Sequence, residues 1–112
     1  MIPSRFHEPF EVTKDVGAGA TVEMVAAAVG KRLFITSVHI DVTVVGAAGS
    51  TTTIETKTGG TDIVKTDATV LGGEHYFFGE GGYGLPSGQG IQAVNTDVAE
   101  TTVIITGFKS IP

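Results

Sequence analysis

Apolar and polar positions alternate with a period of two along much of the chain, most plainly over Arg32 to Val45 (RLFITSVHIDVTVV). Val38, Ile40, Val42 and Val44 form one row there, and Ser37, His39, Asp41 and Thr43 the other. Successive side chains of a strand point to opposite faces, so one row is assigned to a core and the other to solvent or a neighbouring subunit. Phe10 to Val16 and Thr21 to Val25, separated by Gly17-Ala18-Gly19, have the form of a hairpin. Ala26 to Gly30 offers one helical turn at most, too little for a stable helix, and is assigned to a loop. Thr51 to Thr58 carries one apolar residue, Ile54, and is expected at an edge or surface, with Glu55 and Lys57 discouraging further pairing. Asp62 to Thr66, the aromatic segment Glu74 to Phe78, Ile91 to Thr96 and Thr101 to Lys109 complete the strands, the last two as a second hairpin. Gly79 to Gly90 (GEGGYGLPSGQG) is a long loop between the aromatic segment and Ile91.

Composition agrees with this all-β pattern. Thr, Val and Ile far outnumber Leu and Met. Branching at the β-carbon restricts rotation against a helical turn and packs well on a pleated surface. About eight strands in a chain of 112 residues predict two antiparallel sheets packed face to face, a sandwich of jelly-roll type. A barrel is the nearest rival. The length suits a single domain, spanning 10–112, preceded by an extended arm over 1–9 in which Pro3 and Pro9 favour extended backbone. A domain of this size buries a modest core, so contacts with a partner or with copies of itself are expected to matter.

The net charge of −5 and pI near 5.0 set the average field of the protein against a phosphate backbone, so nucleic acid is not an expected partner. No apolar run approaches the roughly 18 residues of a membrane span, and the opening MIPSRFHEPF lacks the apolar stretch of a secretory leader. No membrane partner is expected. The lack of Cys removes disulfides and thiolate metal sites.

Candidate chemistry is sparse. Gly79, Gly81 and Gly84 have the spacing of a dinucleotide-binding glycine loop, but Pro86, Gly88 and Gly90 follow where a helix N-terminus would have to receive the pyrophosphate. No cofactor is expected. His7, His39 and His75 contain no pair at helical i, i+4 or alternate-strand spacing; His39 and Asp41 are the best local pair, and no metal site is assigned. Ser87 lies outside a G-x-S-x-G elbow, no carboxylate pair stands out for glycoside hydrolysis, and no catalytic residues are assigned.

The aromatic residues say more. Tyr76, Phe77 and Phe78 are consecutive, so on a strand their rings alternate between faces, and a two-layer sandwich has only one core side. Either Phe77 faces the core and Tyr76 and Phe78 face outward, or the reverse. Tyr83 and Leu85 are expected to extend the outward apolar surface, and Phe6 and Phe10 on the arm suggest the same need for a partner. The candidate interface is therefore Ile2, Phe6, Phe10, Tyr76, Phe78, Tyr83 and Leu85.

From Gly30 onward the run GKRLFITSVHIDV, the GGEHYFF strand, the loop GLPSGQGIQAV and the closing TTVIITGF resemble small virion proteins of tailed bacteriophages. The likeness covers about 80 of the 112 residues as a coarse pattern. In those proteins a basic pair opens a long strand, as Lys31-Arg32 does here, and a P-x-G-x-G-I element precedes the next, matched by Pro86, Gly88, Gly90 and Ile91. The resemblance implies a β-sandwich or jelly roll that assembles into homotrimers and decorates or cements a capsid, with the major capsid protein or another virion protein as partner. It implies a virion location after assembly in the host bacterial cytoplasm. The arm, Ile2 to Phe10, would then lie across a neighbouring subunit or the shell. The alternative is a glycan- or receptor-binding fibre or knob module, for which Tyr76, Tyr83, Glu80 and Gln89 would supply rings, carboxylate and amide.

Overall fold

A computed structural model describes residues 7–110. The alternating rows become nine strands among those residues: β1 (His7–Val16), β2 (Thr21–Val25), β3 (Arg32–Val44), β4 (Thr51–Thr56), β5 (Asp62–Asp67), β6 (Gly72–Phe77), β7 (Tyr83–Gly84), β8 (Ile91–Asn95) and β9 (Glu100–Ser110). One sheet, A, has the order β1-β9-β3-β6, with the two-residue β7 also on β3; the other, B, has the order β2-β8-β4-β5. Every pairing is antiparallel. Leaving out β7, the remaining eight strands are wound as the expected jelly roll, and the fold is an all-β sandwich.

The core lies between the sheets. Ile35, Val38, Ile40 and Ile105 from sheet A meet Ile54 and Ile91 from sheet B, all inaccessible to solvent. Each such side chain stabilises the fold by about 1.5–3 kcal/mol. In β3 the predicted core row holds for Val38, Ile40 and Val42, but Val44 is 42% exposed. A register shift between Val42 and Val44, where β3 pairs β9, breaks the alternation before the strand ends.

Neither expected hairpin forms. β1 pairs β9 and β2 pairs β8, so the turn at Gly17-Ala18-Gly19 carries the chain from one sheet to the other. The same holds for β8 and β9, which lie in different sheets. β4 is central rather than an edge, flanked by β8 and β5. It tolerates burial despite its threonines because the inward hydroxyls find acceptors: Thr52 Oγ1 donates to Asn95 Oδ1 at 2.7 Å and Thr56 Oγ1 to Thr58 O at 3.1 Å. Of the arm expected over 1–9, His7–Pro9 is already paired with Phe108–Ser110 of β9. Ile2 and Phe6 lie outside the described residues.

Candidate functional site

The two outer faces differ in chemistry. On sheet B, Glu23, Gln92 and Glu55 sit opposite one another across β2, β8 and β4. Gln92 Nε2 donates to Glu55 Oε1 at 2.7 Å, and Lys57 pairs with Glu23. The outer face of sheet A is richer in rings. Phe34 and Phe108, opposite each other in β3 and β9, stack with centroids 4.9 Å apart and planes at 10°, and Arg32 lies over Phe34 at 5.1 Å. Further along, Ser37 and Phe77 are opposite, as are His39 and His75.

The run of three aromatics resolves into the second of the two predicted arrangements. Phe77 points outward and is 72% exposed, whereas Tyr76 and Phe78 are half-buried against the core. The ring most open to a partner is therefore Phe77, not Tyr76 or Phe78. Tyr83 is exposed and meets Phe78 with centroids 5.8 Å apart. Leu85 offers no surface at all. It is 0% exposed, its N–H donates to Leu33 O at 2.9 Å, and its own carbonyl accepts from Arg32 Nε at 2.8 Å. Phe10 is half-buried and packs inward, its ring covering Gly107 on the neighbouring β9.

The basic pair that opens β3 is used within the chain: Lys31 pairs with Glu8, and Arg32 is spent on Phe34 and Leu85. The Lys31 ammonium holds the Glu8 carboxyl below the usual carboxylate range, and Lys57 does the same for Glu23. Gly79 and Gly82 take left-handed backbone in the turn before β7, where no helix follows. Of the four residues suggested for a glycan, Tyr76 is half-buried and Gln89 Oε1 accepts from Thr58 N–H at 3.2 Å, leaving Tyr83 and Glu80 open.

Sequence reasoning missed an apolar stretch just ahead of Phe77. Val70 and Leu71 are 74% and 64% exposed in the link from β5 to β6. They border a cleft of about 310 Å³ shared with Val42, Asp67 and Glu74. Backbone bonds from Gly46 N–H to Ala68 O (2.8 Å) and from Ala68 N–H to Ser50 O (2.9 Å) tie this link to the turn after β3, beside which Val44, at the end of the strand, and Val45 are also exposed. The sequence signal was present as two consecutive apolar residues between turn residues, with no alternation to assign them to a core.

Phe77 on the edge strand β6 and Val70 and Leu71 in the link before it thus face outward in one stretch of the chain. No family model matches the sequence, and no curated protein matches it. Among solved structures, the fold is similar to that of a chain in the acidic stable capsid structure of Helicobacter pylori bacteriophage KHP30. The TM-score is 0.56 at 10% identity, over 90% of this chain and 87% of that one, so the likeness is one of fold and spans nearly all of both.

Proposed function

We propose that this protein is a structural component of a bacteriophage virion, one that decorates or cements the capsid through repeated protein–protein contacts with copies of itself and with the shell. The observation that carries this reading is the outward Phe77 ring on the unpaired edge strand β6, with Val70 and Leu71 exposed in the link before it. Exposed large apolar side chains mark a contact site, and an open edge offers main-chain donors and acceptors beside them. The fold shared with a chain from a phage capsid structure supports the same assignment. Repetition over a shell lets individually weak contacts hold through multivalency.

Sedimentation at micromolar concentration tests the self-association. The expected mass is three times that of the chain, falling when Phe77 and Val70 are both replaced by Ser; a monomer would remove this part of the reading. Shell binding is tested by co-sedimentation with phage shells that lack the protein. Material remaining in the supernatant would overturn the decoration role. Saturable binding on a glycan array would replace it with the receptor-binding alternative.

A further inference from the structure

We propose that His39 and His75 form a bis-imidazole site for a divalent transition-metal ion on the outer face of sheet A. The two residues are 36 apart in sequence but directly opposite in the β3–β6 register. The bond from Phe78 N–H to Thr36 O at 2.8 Å makes those two a hydrogen-bonded pair. Alternation along the ladder then makes His39 and His75 a non-hydrogen-bonded pair, the kind in which facing side chains come closest. Their ring centroids are 5.7 Å apart with planes at 71°. Two imidazoles bound to one tetrahedral ion through nitrogens at about 2.0–2.1 Å have centroids roughly 5 Å apart, so the observed separation is close to that of two rings on a shared ion.

Gly73 makes room for this arrangement. A Cβ at that position would stand 3.0 Å from His39 Cε1 and 3.1 Å from Nε2, so the absence of a side chain lets the His39 ring lie toward β6. His75 is exposed and His39 half-buried, which leaves the pair open to an ion from solvent. Among the described residues no group of three or more His, Asp or Glu side chains is placed to enclose an ion. The site is therefore an open chelate, with remaining positions for water or for a donor from another molecule. Two imidazole donors suit Zn²⁺, Ni²⁺ and Cu²⁺ and not the hard ions Mg²⁺ and Ca²⁺.

Calorimetric titration of the full, untagged chain with Zn²⁺ alone tests the assignment. One saturable site per chain is expected, absent with Mg²⁺. His39→Gln and His75→Gln should each weaken it by at least about 10- to 100-fold, the loss that even an outer-shell change causes. His7→Gln should leave it intact. Gly73→Ala, which keeps both imidazoles but fills the space beneath one, should also weaken it. Absence of Zn²⁺ binding to the parent chain, binding that survives in the His39/His75 double variant, or binding lost in His7→Gln alone would each overturn the proposal.

Discussion

Asn95 shows how much a single side chain can organise in a core of this size. Buried at the end of β8, it accepts from Thr52 Oγ1 at 2.7 Å and from Thr101 Oγ1 at 3.2 Å. Its amide donates to Val16 O at 2.8 Å, Ala99 O at 3.1 Å and Gly17 O at 3.3 Å. It thus ties the start and finish of two sheet-to-sheet turns to the centre of sheet B. Asn95→Ala strands several buried partners at about 1–3 kcal/mol each and is expected to cost about 3 kcal/mol or more, read as a lower midpoint in urea. The surface carboxylates make a contrasting, pH-dependent contribution. Glu8 and Glu23 have folded values lowered by their lysine partners, so the stability they add is complete at neutral pH and is lost as the pH falls through those values, below the ordinary carboxylate range. Glu23→Gln should flatten that acid limb in thermal melts, and added salt should shrink the difference between the two proteins.

At the scale of elements, the middle strand of sheet A depends on a glycine. A Cβ on Gly107 would lie 2.0 Å from Phe34 O and 2.8 Å from Phe10 Cζ. The first of these is the backbone of a neighbouring strand and cannot swing away. Gly107→Ala is therefore expected to destabilise the fold by about 3 kcal/mol or more, whereas Gly17→Ala, where a Cβ meets nothing within 4 Å, is expected to change the melting temperature little. Strand positions were legible in the sequence because the period of two is a local property: β2 was predicted with its observed ends, and β3 within one residue. Strand partners were not, because a short glycine turn serves equally for a hairpin and for a crossing between sheets. The central place of β4 was hidden for a related reason, since a threonine row resembles a solvent face until Asn95 supplies a buried partner for Thr52. His39 and His75 were likewise separate until the order β3-β6 placed them opposite each other.

For the whole molecule, the slab measures 44 × 26 × 17 Å, so its two broad faces and their edges make up most of what a partner can meet. Those faces being unlike, substitutions on them should act differently. Phe77→Lys is expected to lower the sedimentation mass, and Lys65→Glu, on the exposed side of sheet B, is expected to leave it unchanged. That at least one of three consecutive rings faces outward was legible from their succession, but which ring and which edge depended on the register of β6 against β3. The placement of β9 between β1 and β3 has a consequence for synthesis. All four strands of sheet B leave the ribosome before Glu100–Ser110, while β1, made first, has no neighbour in its own sheet until that last segment emerges. A nascent chain can close one layer early, but β1 must wait until β2 to β8 have been made, and a product cut short before residue 100 would leave it unpaired.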